Sequence, residues 1–189
     1  DLAFVSRTGL EARGITDLVA LARQKPGQIS YGSTGNGSHA HFGGVMLEQR
    51  TGISLIHVPF KGQAQVLPEL VANRLDFTIT SLSAVILSNV SAGKLKVLAS
   101  AGKARFPKHP TIPTVAEVLP GYANGTSYSL VTRAGTPGPI VQRMNEELNQ
   151  ALRSPEVREP LEGQGYDVPA NSTPESLARY IAEETERWG

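Results

Sequence analysis

"ISYGSTGNGSHAHFGGVMLEQRTG", residues 29–52, decides the fold. Residues 29–33 read as a short strand. Residues 39–52 read as a helix, with Phe42, Val45, Met46 and Gln49 near one stripe and Gly52 as its stop. Between them lies a loop of glycines and small polar residues, and Ser38 stands where a helix N-cap belongs. Strand, polar loop and helix make one βα unit, and the unit recurs on both sides of this stretch.

Upstream, "LAFVS" (2–6) is a strand, and "ITDLVALARQKPG" (15–27) is a helix carrying Leu18, Leu21 and Ala22, with Thr16 as its cap and Pro26-Gly27 as its end. Downstream, strands are predicted at 54–59, 75–80 and 95–100. They alternate with helices over 63–74, bent or begun at Pro68, and over 83–94. This alternation predicts an α/β fold, a mostly parallel sheet with helices on both faces. After Ser100 the rhythm changes. Prolines at 107, 110, 113 and 120 mark an ordered connection or crossover, and "TSYSLVT" (126–132) returns to strand character. A long helix then follows Pro137 with Ile140, Met144, Leu148 and Leu152 four apart. A shorter helix covers 155–165, and a last one is capped by Thr173 with Pro174 at its first position. Trp188 reads as a packing residue.

Composition narrows the function classes. Eighteen Lys and Arg against seventeen Asp and Glu leave a net charge of +1, without the basic patch of a nucleic-acid or membrane-surface binder. No apolar run is long enough to span a bilayer, and residues 1–10 lack the pattern of a signal peptide. The absence of cysteine excludes disulfides, thiolate catalysis and cysteine-ligated metal, and leaves cytoplasm and periplasm both open.

The loop itself suits an anion or a polar group, because a strand-to-helix turn presents backbone amides and the positive end of a helix dipole. Gly32, Gly35 and Gly37 permit close approach, while Ser33, Thr34, Asn36 and Ser38 supply hydrogen bonds. The other reading is an ordinary βα loop with a serine cap. A nucleotide P-loop would need Gly-Lys-Ser/Thr at its end, and the dinucleotide fingerprint would need G-x-G-x-x-G where this chain has G-x-x-G-x-G. His39 and His41 diverge in a helix's first turn, so capping or ligand contact suits them better than metal binding. No G-x-S-x-G elbow surrounds Ser33 or Ser38. Lys61 follows a strand, where it complements an anion or is simply solvated. Asp76 ends a turn and has no partner carboxylate at a catalytic spacing. No catalytic residue, metal or cofactor is expected.

"GQISYGSTGNGSHAHFGGVMLEQRTGISLIHVPFKGQAQVLPELVANRLDFTI", "AGKLKVLA", "TIPTVAEV", "LPGY", "AGTP" and "LNQALRSPEVREPLEGQG", in this order, resemble the TctC family of tripartite tricarboxylate transporter solute receptors, also called Bug proteins. The resemblance runs over nearly the whole chain. It implies a periplasmic-binding-protein-like fold of type II, a periplasmic location, a small carboxylate as ligand, and membrane subunits of a tripartite transporter as partners. The "YGSTGNGS" stretch matches the family's Y-G-S-x-G-x-G-S, which points to Ser33, Gly35, Gly37 and Ser38 as ligand contacts, with Thr34 and Asn36 at its variable positions. His41, Lys61 and Gly62 match further family positions. Thr80 stands where the family often has Asp, which favours a plain carboxylate over an amino acid because an ammonium group would lack its counter-ion. Tyr128 falls in the segment where the family commonly has Trp.

By the same resemblance, residues 1–122 correspond to the second lobe and residues 123–189 to the C-terminal part returning to the first, with most of the first lobe absent. Weak or absent ligand binding by the chain alone, or pairing of two chains through the uncovered surface, is then expected. Two other readings remain open: a phosphate- or nucleotide-handling enzyme domain using residues 32–38, and a ligand-sensing remnant that makes protein contacts.

Overall fold

The computed structural model describes residues 2–188, apart from the side chains of Arg187 and Trp188, so the packing expected of Trp188 lies outside the described residues. The chain divides into two compact units, residues 1–126 and 127–189. The division falls four residues after the boundary expected from sequence.

The first unit is a five-stranded sheet made of β1 (Leu2–Arg7), β2 (Ser30–Ser33), β3 (Ile56–Pro59), β4 (Phe77–Ser81) and β5 (Leu95–Ser100). Their order is β3-β2-β4-β1-β5. β2 is parallel to both β3 and β4, whereas β1 is antiparallel to β4 and β5. Four strands therefore share one direction, and the reversed β1 makes the sheet mixed rather than simply parallel. Strand period sorts β1 between two cores: Leu2 and Phe4 join one, Ala3 and Val5 the other. The first core lies under α1 (Ile15–Gln24) and α2 (His39–Thr51), the second under α3 (Gln63–Val71) and α4 (Ala84–Ser91). Helices thus cover both faces, as the alternation predicts.

Local chemistry departs from the sequence reading in several places. α1 starts at Ile15 with Gly14 as N-cap and no side-chain cap, so Thr16 does not cap it; Asp17 instead accepts from the Arg13 amide at 3.0 Å. α3 runs through Pro68 without starting there. The buried face of α2 is Ala40, Gly43, Gly44 and Leu47, while Phe42 and Gln49 are exposed. The expected stripe is only partly right: Met46 packs against the core, but the closest approach to the sheet falls at Gly43 and Gly44, where only the absence of a side chain lets α2 come so near. A Cβ on Gly44 would fall within the Tyr31 ring's contact distance, and one on Gly43 would strike the Asn124 amide.

Under α2 a row of rings crosses the sheet. Tyr31 stacks on Phe77 at 5.5 Å between centroids, Phe77 on Phe4 at 5.8 Å, and Phe4 meets Tyr122 at 6.0 Å. Tyr122 lies in the proline-rich connection, which holds a short 3₁₀ turn, Val115–Glu117, closed by a reciprocal Thr114–Glu117 capping box. The Arg105 guanidinium and the Thr114 amide hold the Glu117 carboxyl down to about 2.

At the opposite edge of the sheet Asp76 is a clamp. Its Oδ1 accepts from Arg7 Nε at 3.0 Å and Nη2 at 2.8 Å, and its Oδ2 accepts from Ser30 N at 2.8 Å and Oγ at 3.0 Å. The carboxylate joins the end of β1 to the starts of β2 and β4.

The second unit is helical: α5 (Gly138–Arg153), α6 (Pro155–Gly163) and α7 (Pro174–Trp188). Asn149, buried in α5, receives Ser172 N at 2.9 Å and donates to Ser172 O at 2.8 Å. Thr173 caps α7 by exchanging bonds with Ser176. Residues 126–132 form no strand, contrary to the sequence reading: strand character in a residue pattern is not enough without a partner for its hydrogen bonds. Tyr128, Leu130 and Val131 are accordingly exposed, as are Ile140 and Met144 on the apolar stripe of α5.

Two substitutions test this framework. Asp76→Ala strands Arg7 and the Ser30 amide and is expected to cost about 2–3 kcal/mol, read as a lower urea midpoint. Gly44→Ala drives a methyl into the Tyr31 ring and is expected to lose about 1–3 kcal/mol in the same measurement, whereas Gly93→Ala, with nothing near its Cβ position, costs only the strain of its positive φ.

Candidate functional site

The carboxyl ends of β2, β3 and β4 lie along one edge of the sheet, since the three run in parallel. β2 continues through α2 to β3 on one side, and β4 continues through α4 to β5 on the other. The gap between β2 and β4 is a topological switch point, where open α/β sheets hold ligands. The 33–38 loop forms one wall of this gap, and Ser81 at the end of β4, with Leu82 and Ser83 after it, forms the other.

The loop is strapped from within. Ser33 is fully buried; its Oγ accepts from Gly35 N at 3.0 Å and lies 2.6 Å from His57 Nε2. Phe60 N donates to Ser33 O at 2.9 Å and ties the end of β2 to the end of β3. Gly35 and Gly37 sit at φ 123° and 77°, conformations that glycine adopts without strain. Gly37 N donates to His41 Nδ1 at 3.1 Å, and Ser38 Oγ caps α2 by accepting from His41 N at 3.4 Å. The His41 and His57 rings stack at 4.3 Å, and His57 stacks on Tyr31 at 5.0 Å, which extends the ring row to the loop. Burial, and then the charge of His41, push the His57 imidazole below its ordinary value. Burial pushes the Tyr31 phenol up to about 12, and its hydroxyl has no hydrogen-bond partner among the described residues.

This strapping separates two kinds of residue. Ser33, Gly35 and Gly37 spend their polar groups within the loop. Thr34 and Asn36 are exposed, and the amides of His39 and Ala40, the first two of α2, meet no acceptor among the described residues. Chemically this is a short row of donors at the positive end of a thirteen-residue helix. Lys61 lies past β3 on the same edge, exposed, with its amide held by Gln65 at 3.0 Å. Thr80 is buried in β4, opposite Ala3 of β1. Tyr128 belongs to the second unit, where its ring meets Tyr166 edge-on at 5.3 Å. The structure thus brings Ser33, Thr34, Gly35, Asn36, Gly37, Ser38 and His41 together, with Lys61 on the same edge.

Sequence reading missed His57, which is half-buried under the loop. Its place in "HVPFKG", the polar residue between Ile56 and Val58 on a strand beside the loop, was the available signal. It also missed Asn124, fully buried, whose Nδ2 donates to His39 O at 2.7 Å while Tyr122 Oη donates to Gly43 O at 3.0 Å. These bonds anchor the end of the first unit to the first turns of α2. Among the described residues no group of three His, Cys, Asp or Glu is placed to hold a metal. A cleft of about 390 Å³ opens at the start of α1, but its carboxylates are spent, Asp17 on Arg13 and Glu117 on Arg105.

A mixed sheet with one reversed strand, covered on both faces and opening its donors at a switch point, is the architecture of a periplasmic-type solute-binding protein. The chain belongs to the TctC family, described as the tripartite tricarboxylate transporter family receptor, whose model matches residues 1–189. A protein from the tcbD-tcbE intergenic region of Pseudomonas sp. (strain P51) is 36% identical over 93% of this chain and 52% of its own. An R. palustris protein solved with adipate superposes with a TM-score of 0.84 at 29% identity, covering 99% of this chain and 62% of that one. MatC from Rhodopseudomonas palustris, with bound malate, gives 0.78 at 25% identity, covering 99% and 64%. The chain therefore spans about half to two-thirds of the length of these proteins.

Ser33→Ala removes the acceptor of Gly35 N and the partner of His57. It is expected to cost about 1–2 kcal/mol, seen as a lower urea midpoint with an unchanged denaturant slope. The neutral, depressed His57 gives stability a sign with pH: the unfolded chain takes up this proton first, so stability is full above about pH 6.5 and falls as acid is added below it. A chemical-denaturation series across that range measures the fall.

Proposed function

We propose that this chain is the greater part of an extracytoplasmic solute receptor that holds a small carboxylate for a tripartite tricarboxylate-type transporter in the periplasm. The observation that carries the proposal is the pair of amides without an acceptor among the described residues at the start of α2, held at the switch point by a loop with no committed charge of its own. A carboxylate laid against the His39 and Ala40 amides, with Thr34, Asn36 and Ser38 around it, receives neutral donors aligned with the helix dipole. Lys61 adds an exposed positive charge on the same edge. Adipate in one relative and malate in another support a carboxylate as the ligand class.

Thr80 supplies no negative charge, so an amino acid would bring an ammonium group without a counter-ion. Plain mono- or dicarboxylates are the favoured ligands. Tyr128, which the family resemblance assigns to the pocket, is exposed in the second unit. In the whole receptor, ligand capture shifts the lobes to a closed form that docks on the membrane subunits. The work is binding, and no covalent bond is made or broken. The exposed apolar residues of the second unit are covered, in this reading, by further receptor segments or by a second copy.

A thermal-shift screen with adipate, malate, glutamate, phosphate and ATP, on this chain and on a chimera extended with the remaining segment of a relative, tests the proposal. Ligand at a hundredfold above Kd adds about 2.7 kcal/mol, a rise of roughly 5–10 °C for a chain of this size. Shifts with adipate or malate, larger in the chimera, are expected. A shift with ATP or phosphate and none with carboxylates overturns the reading in favour of a phosphate-handling domain.

A further inference from the structure

The loop's internal straps differ in how they respond to a proton. Gly37 N is only ever a donor, so His41 Nδ1 must be unprotonated to accept from it at 3.1 Å. Ser33 Oγ is both donor and acceptor, so its 2.6 Å contact with His57 Nε2 survives protonation by reversing direction, with Gly35 O at 3.1 Å as the alternative acceptor for the hydroxyl. The two rings stack at 4.3 Å, a distance at which two imidazolium charges repel. We infer that His41 and His57 are positioning residues for the carboxylate loop, and that the loop keeps its anion-ready shape only while His41 is neutral.

This inference rests on the reading of the loop as a carboxylate site, and it adds a regulation to that site. His57 supports the stack from β3 and locks Ser33; His41 reaches back from α2 and locks Gly37. The pair faces few other titratable groups. Tyr31 of β2 lies on the far side of His57, with its phenol neutral throughout the relevant range, and Glu48 of α2 acts on Tyr31. The His57 ring feels the charge of His41, and no carboxylate forms an ion pair with either imidazole among the described residues. His39, on the same turn of α2, is exposed, and so is Lys61 beyond β3. Acid therefore meets no built-in counter-charge: protonation at Nδ1 turns two N–H groups toward each other and releases Gly37.

The test reads the loop first and the ligand second. Amide NMR of this chain between about pH 8 and pH 5 is expected to show the Gly37 resonance moving with the His41 ring titration. In His41→Asn, whose side-chain oxygen replaces Nδ1 as acceptor without titrating, Gly37 keeps its high-pH position throughout. In His41→Ala it sits displaced at every pH. A Gly37 resonance that ignores the His41 titration, or that still titrates in His41→Asn, overturns the inference. Calorimetric titration of the extended chimera with adipate at pH 8 and pH 6.5 supplies the second readout: at least a twofold weaker Kd at the lower pH in the parent protein, and none of that loss in His41→Asn. Equal or tighter binding in acid overturns the latch and leaves the carboxylate reading standing. Absence of adipate binding at both pH values, with Gly37 titrating as described, removes the carboxylate reading and leaves the latch.

Discussion

The close seating of α2 on the ring row governs the first unit. Gly43 and Gly44 let the helix descend until Tyr31 fills the space a side chain would take. Tyr122 and Asn124 can then reach the carbonyls of Gly43 and His39. A helix held this low aims its first turn at the gap between β2 and β4. The same descent brings His41 over His57, so the rings that pack the core also reach the loop. Interiors are close-packed, and a displacement of the helix by one methyl group would be felt along the whole row.

The two edges of the sheet use their polar groups in opposite ways. At one edge Asp76 collects four hydrogen bonds and leaves none of its acceptors idle. That is a structural use of charge: it fixes where β1, β2 and β4 meet. At the other edge the side chains of Ser33 and His41 are spent on the loop, while the first amides of α2 stay open. What that edge offers to a ligand is backbone dipoles and neutral donors. In the proposed reading this suits release as well as capture, since neutral donors would hold a carboxylate without the deep well of an arginine clamp.

The second unit is built on a different balance. Among its described residues only Asn149 and Val168 are buried, and its helices are tied by capping bonds and by the Asn149–Ser172 link more than by a core. Its apolar residues, Tyr128, Leu130, Val131, Ile140 and Met144, remain on the surface. For a chain that spans about half the length of a curated relative, the strand pattern at 126–132 is intelligible as sequence written for a neighbour. Strand character is a property of a residue pattern, but a strand exists only when another edge accepts its hydrogen bonds.

Apart from the strand expected at 126–132, the sequence alone determined the order of elements, because the periods of two and 3.6 and the Gly, Pro and Ser punctuation are local properties. Through the TctC-like motifs it also determined the family. Only the tertiary structure decided that β1 runs against its neighbours, since strand direction depends on where the crossovers pass. Only the structure turned α2 onto its glycine face, because the pattern of apolar residues does not say how near the sheet will come. It alone placed His57 beneath the loop, twenty-four residues from Ser33 in the chain and 2.6 Å away in space. The division of the loop into residues that hold it and donors that face outward follows from those distances. A list of hydroxyls and glycines carries no record of which of them are already satisfied by one another.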